Sequence, residues 1–124
     1  MPTPEQMEAA VHAYVEAFAK SDPAMAAAIF ADNAVIEDPI GTTPKVGKAA
    51  ILEFYTQSMA TGATLHLVGP IRVAAAHAAF AMQVRLHWDG KEMAIDVIDT
   101  FAFDGAGKVM EMKAYFGPGN MHGA

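Results

Sequence analysis

The sequence predicts an α+β fold, with N-terminal helices packed on one face of a curved, mostly antiparallel sheet that closes into a cone. Three observations predict it. Apolar residues step by three and four through the first half of the chain, they alternate by two through the second half, and strong turn signals separate the alternating runs. A single domain spanning 1–124 is expected, since 124 residues enclose one core with little area to spare.

The first helix opens at Thr3, a suitable N-cap, with Pro4 at the first helical position and Gln6 completing a capping box. Met7, Ala10, Val11, Tyr14 and Phe18 make its apolar stripe, and Glu8, His12, Glu16 and Lys20 its solvent face. Ser21-Asp22-Pro23 starts a second, Ala-rich helix expected to end near Phe30. A short strand at 34–39, a turn-rich loop at 41–47 and a third helix at about 48–59 follow. Residues 64–74, 78–88, 91–103 and 109–116 then read as four long strands. Asp89-Gly90 is a two-residue hairpin signal, and Asp104-Gly105-Ala106-Gly107 a second turn. Gly69-Pro70 interrupts its strand with a bulge or bend, and Gly117-Pro118-Gly119 reads as a turn or tail. A bent sheet closing over helices leaves a conical pocket, a shape that holds small molecules.

Composition narrows the function. A net charge of −6 offers no basic patch for nucleic acid, and no apolar run reaches the ~18 residues of a membrane span. With no Cys, disulfide, thiolate and Cys–zinc chemistry are excluded. The acidic N-terminus lacks the basic and apolar regions of a signal peptide, so a cytoplasmic location is expected. His12, His66, His77, His87 and His122 match no metal spacing, and no phosphate-binding glycine loop or nucleophile elbow is present. No metal and no cofactor are expected.

Alternation exposes three polar groups on apolar faces. In 91–103 the inward set is Lys91, Met93, Ile95, Val97, Asp99, Phe101 and Phe103, with Asp99 in its middle. The inward set of 78–88 is Phe80, Met82, Val84, Leu86 and Trp88, and that of 109–116 is Met110, Met112, Ala114 and Phe116. Neither of these two neighbouring sets offers Asp99 a cation, so burial would keep it protonated and make it a hydrogen-bond donor. Periodicity leaves a second reading open, in which Asp99 marks a bulge and faces water. Asp38 shares a face with Ile36 and Ile40, and is alternatively a strand-ending Asp-Pro turn. Tyr14 lies on the helix stripe and is alternatively a core tyrosine, as is Tyr55 on the third helix. Together, one carboxylate that ionises, one carboxyl that does not and a phenol suit proton abstraction beside a carbonyl, with neutral donors on the enolate oxygen.

Beyond these patterns, VIEDPIG around Asp38, IDVIDTF around Asp99, and FDGAGKV with the following MKAYFG resemble the bacterial Δ5-3-ketosteroid isomerases. The resemblance runs from the Tyr14 helix to Phe116 and is more specific than the wider fold group shaped like nuclear transport factor 2. A phenol paired with a protonated aspartic acid is that family's known arrangement. The resemblance implies a cofactor-free steroid Delta-isomerase acting on a 5-ene-3-ketosteroid. Asp38 would carry a proton from C4 to C6, Tyr14 and Asp99 would hold the dienolate oxygen, and Tyr55 would steady Tyr14. Phe54, Met82, Val84, Ile95, Val97, Met112 and Phe116 would line the steroid slot. Phe30 stands where some relatives carry a further tyrosine, and Met82 where an aromatic residue is expected.

Two alternatives share the fold: a non-catalytic module binding an apolar ligand, and a polyketide cyclase or epoxide hydrolase. The hydrolase pairs acids with Arg, whereas the only arginines here are Arg72 and the outward-facing Arg85. Ala94, Ile98 and Ala102 leave the outer face of strand 91–103 half apolar, which fits a homodimer, as does the family resemblance.

Overall fold

Local sequence and local structure agree from the first turn. In the computed structural model, Gln6 N donates to Thr3 Oγ1 at 3.1 Å and Thr3 N donates to Gln6 Oε1 at 2.8 Å, so the capping box is closed. Helix α1 (Pro4–Ala19) buries Met7, Val11, Tyr14, Ala17 and Phe18. Helix α2 (Pro23–Ala27) starts at Asp22, whose side chain accepts from Met25 N at 3.1 Å. It stops short of the expected Phe30. There the chain turns extended, because Phe30 pairs in register with Val109 and its ring stacks near Tyr55 and Phe101. Two lysines collect carbonyls this turn leaves free: Lys108 Nζ donates to Ala28 O and Lys48 Nζ to Phe30 O. The structure describes residues 1–123; Ala124, the end of the expected domain, lies outside them.

Helix α3 (Lys48–Ala60) matches its expected span. The strands are β1 (Phe30–Glu37), β2 (Lys45–Val46), β3 (Thr64–Leu67), β4 (Arg72–Ala74), β5 (His77–Trp88), β6 (Lys91–Phe103), β7 (Val109–Tyr115) and β8 (Met121–Gly123). They form one sheet of order β2-β1-β7-β6-β5-β3, with β4 also on β5 and β8 also on β6. Every pairing is antiparallel except β1 with β7. The three helices pack on this curved, open, mixed sheet and enclose a core of α1, α3 and inward strand residues.

Four expectations need correction. The strand expected at 64–74 is two strands, because Gly69-Pro70 breaks it with Gly69 at φ +74°. Trp88 is 63 % exposed rather than inward. The β5–β6 hairpin runs past the end of α3, which is anchored at His87 N to Thr61 O (3.1 Å), so the inward face has nothing to meet there. Met110 is exposed because a register shift between Ala102 and Phe103 loops it out and puts Val109 inward instead. The expected tail contains a 3-10 turn at Pro118–Asn120 and then β8, which pairs with Met93, Ala94 and Ile95 of β6. The Asp89-Gly90 turn is as expected, with positive φ at both residues (53° and 75°).

Candidate active site

Regular alternation along β6 turns Asp99 inward between Val97 and Phe101. Its cross-strand neighbours are Phe80 on β5 and Ala114 on β7. Asp99 is 2 % exposed, and it is the one acidic residue buried so deeply among the described residues. Its Oδ1 is buried without a hydrogen-bond partner among the described residues. Burial, and after it the nearby Asp38 charge, raises the Asp99 carboxyl well above the usual carboxylate range. Burial thus favours its neutral, protonated form. The alternative of a bulge residue facing water is removed, since the β5–β6 register runs unbroken through it.

Tyr14 lies beside it on the buried stripe of α1. The rings of Phe18 and Phe101 stand edge-on at 5.3 Å, Tyr55 at 5.6 Å and Phe80 at 6.3 Å, which clamps the phenol ring. The Tyr14 and Tyr55 hydroxyls are 3.0 Å apart. If Tyr55 donates, the Tyr14 proton is free to point into the cavity. Burial first, and neighbouring Tyr55, Asp99 and Asp38 next, hold the Tyr14 hydroxyl above its ordinary pKa, so it stays protonated. Phe30, which packs 5.7 Å from the Tyr55 ring, ends this phenol chain at two hydroxyls.

Asp38 follows the last residue of β1 instead of lying on the strand, and the Asp38–Pro39 peptide is cis. Alternation ends there, so Ile40 does not share the inward face of Ile36 and is exposed. The bend is held by hydrogen bonds, including Thr42 N to Pro39 O at 3.1 Å. Gly41 N donates to Glu37 Oε2 (2.8 Å), Thr42 Oγ1 donates to Pro39 O (2.7 Å), and Ile40 N donates to Ala114 O (2.9 Å). Ala114 is also the register partner of Asp99, so one strand of β7 sets both acids. Burial against the apolar cavity raises Asp38 to about 6, with the Lys45 ammonium pulling the other way. At pH 7–8 Asp38 is mostly ionised, whereas burial favours the neutral form of Asp99, so the environments of the two acids differ.

These groups line one largely apolar cavity of about 140 Å³. Tyr14, Asp38, Asp99, Phe54, Met82, Val84, Ile95, Val97 and Phe116 all border it, as the sequence led us to expect. Met112 does not. It sits opposite Phe101, one step deeper than the Asp99–Ala114 level, and is fully buried in the core. Alternation names the inward stripe of β7 but not where along it the cavity floor lies. Ala114 takes the wall position, with Phe18, Ser58, Thr61, Ala63, Leu65 and Leu86. Helical spacing could have found two of these, since Phe18 is four residues past Tyr14 and Ser58 four past Phe54. Arg85 lies outside the cavity, its Nε donating to Gln83 Oε1 (2.9 Å). Among the described residues no three His, Asp or Glu side chains gather, so no metal-ligand set can be named.

The same architecture recurs in a solved structure of SalBIII, an epoxide hydrolase/cyclase-like enzyme in pyran ring formation in the polyether salinomycin. It superposes with a TM-score of 0.92 over all of both chains at 21 % identity, a likeness of fold. A steroid Delta-isomerase of Nocardioides simplex is 35 % identical over 116 residues, which is 94 % of each chain. A family model for the SnoaL-like domain matches residues 11–112. On these two sequence matches the chain belongs to the SnoaL-like family, within which it is a protein like the ketosteroid isomerases.

Proposed function

We propose that this protein is a cofactor-free isomerase that converts a 5-ene-3-ketosteroid to its conjugated 4-ene isomer. The observation that carries the proposal is that Asp99, whose Oδ1 is buried without a partner among the described residues, borders the same largely apolar cavity as Tyr14 and Asp38. A buried polar atom without a partner is costly unless a ligand supplies one. A ketone oxygen seated there takes hydrogen bonds from Tyr14 and from the Asp99 carboxyl. Asp38 then removes a proton from C4, and the C4–H electrons flow into a dienolate whose negative oxygen the two donors stabilise. The same carboxyl returns the proton at C6, where the C5=C6 pair forms the new C–H bond as the C3=C4 pair of the dienolate becomes the C4=C5 bond and the ketone is restored, so no electron or atom is gained or lost. Tyr55 holds the Tyr14 hydroxyl in place. Ile98, 50 % exposed on the outer face of β6, belongs in this proposal to a homodimer interface.

The SnoaL-like match also supports a second reading, a cyclase using the same Asp38 as acid–base over an apolar cavity. One assay separates them: the absorbance of the conjugated enone formed from 5-androstene-3,17-dione. Wild type is expected to turn over. Asp38→Asn keeps the shape without the basicity, and is expected to lose at least ~10²-fold in kcat, since a positioned base contributes about 10²–10⁴-fold. Absent turnover in wild type removes the isomerase reading. Steroid bound without turnover points to a binding module.

A further inference from the structure

The cavity is polar at two ends and apolar between. Past Asp99, Tyr14 and Asp38, its walls are Phe, Met, Val, Leu, Ile and Ala side chains until α3 brings in Ser58 and Thr61. These follow Phe54 by four and seven residues and so share its face of the helix. Their hydroxyls are not equivalent. Thr61 Oγ1 is turned back onto its own helix, donating to Ser58 O at 2.6 Å. Ser58 Oγ has no hydrogen-bond partner in the chain among the described residues, yet Ser58 borders the cavity and is only partly exposed.

The pairing of the strands tells how far apart the ends are. Thr61 O accepts from His87 N, which puts the end of α3 level with the Leu86–Met93 pair of β5 and β6. Met93 is six residues from Asp99 along β6, about 20 Å at 3.3–3.4 Å per residue. Ser58 lies one helical turn from Thr61 on α3 and borders the same cavity. The space between the two polar ends suits a rigid body of several fused rings with an oxygen at each end, not a single ring.

We infer that Ser58 is a specificity-determining residue whose hydroxyl hydrogen-bonds an oxygen on the far ring of the substrate, a ketone or hydroxyl on ring D. This inference rests on the isomerase proposal for which end of the steroid enters first. A hydroxyl serves either partner, donating to a ketone or accepting from an alcohol. Such a contact fixes the steroid end for end and leaves the proton transfer to Asp38.

The test compares ligands with and without that oxygen. Estradiol and its 17-deoxy analogue are titrated by calorimetry into wild type, Ser58→Ala and Ser58→Thr. Alanine is well tolerated in a helix, so folding is preserved. Wild type is expected to prefer the 17-oxygenated phenol by roughly 3- to 10-fold, the value of one neutral hydrogen bond. Ser58→Ala should bring the ratio to about one, and Ser58→Thr should restore it. The KM ratio for 5-androstene-3,17-dione against 5-androsten-3-one should follow the same pattern. No preference in wild type, or an Ala variant that weakens both ligands alike, overturns the inference. Phenols that bind while neither ketone turns over would overturn isomerisation alone, with the affinity ratio still judging Ser58. If neither phenol binds, both fall.

Discussion

Tyr14 shows how a core position and a proposed functional position can be the same residue. Four aromatic rings surround its ring, and any buried tyrosine on an apolar stripe looks alike in sequence. What distinguishes it is the 3.0 Å contact with Tyr55, which gives the hydroxyl a partner and leaves one hydrogen-bonding direction open to the cavity. That contact spans α1 and α3 and no local pattern reports it. Because the ring is clamped, Tyr14→Phe keeps the packing and removes only the hydroxyl. The kcat is expected to fall roughly 10²–10³-fold, as for one lost oxyanion donor. Affinity for a steroid phenol should fall with it, because a phenolate resembles the dienolate more than the ketone does. Tyr55→Phe touches no ligand and should cost less. Steady-state kinetics and phenol titration on the two variants check this ordering, and an equal loss in both would remove the distinction between donor and support.

At the scale of elements, the long periodic pieces were legible and the short ones were not. Helix α1 is legible because its cap, its first-position proline and its stripe agree. Strand β6 matches its expected span end to end, bounded by two turn signals. Helix α2 ends early because Phe30 is drawn into the sheet by Val109, a contact 79 positions away. Strands β2 and β8 are two and three residues long, and such segments carry too few alternations to read. Yet β2 has a consequence for the site. Its pairing sets Lys45 opposite Ile36, two residues before Asp38, with the ammonium 5.9 Å from the centre of the Phe54 ring. The Lys45 charge lowers the Asp38 pKa against the larger effect of burial, and the result is about 6. The other titratable groups near Asp38 are Tyr14, Tyr55 and Asp99, and burial favours the neutral form of each. Removing the cation with Lys45→Met must therefore raise the Asp38 pKa. The acid limb of the kcat/KM profile is expected to move up by roughly 0.2–0.7 pH unit, the size an exposed charge pair supplies. Lys45→Arg should hold it in place. A limb that moves down, or does not move, would show that the base is not under the influence of Lys45.

At the scale of the whole molecule, the placing of one acid in the core ties the site to global stability. An unfolded Asp ionises near pH 3.9. In the fold, Asp99 is raised well above this by burial and, less, by Asp38. Between these two pKa values the folded chain holds a proton that the unfolded chain has released. The contribution of Asp99 to stability is thus fully present below about pH 3.9, and it declines as pH rises toward the folded pKa. Asp38, raised to about 6, adds a similar decline at lower pH, but it does so in any variant that retains it. Asp99→Asn isolates the first effect, because the amide has a similar shape, keeps N–H donors and does not titrate. It is expected to be more stable than wild type at pH 7–8, with the gap closing toward pH 4. The gap can open by at most about 1.4 kcal/mol per pH unit, the limit for one proton. The Asn variant should also keep more activity than Asp99→Leu, which offers the substrate oxygen no donor and should lose roughly 10²–10³-fold. Denaturant melts of the three proteins from pH 4 to 8, with turnover measured alongside, decide it. If Asp99→Asn were less stable at pH 8 and the difference shrank on acidification, Asp99 would be an ordinary ionised carboxylate, and its part in holding the dienolate would go with it.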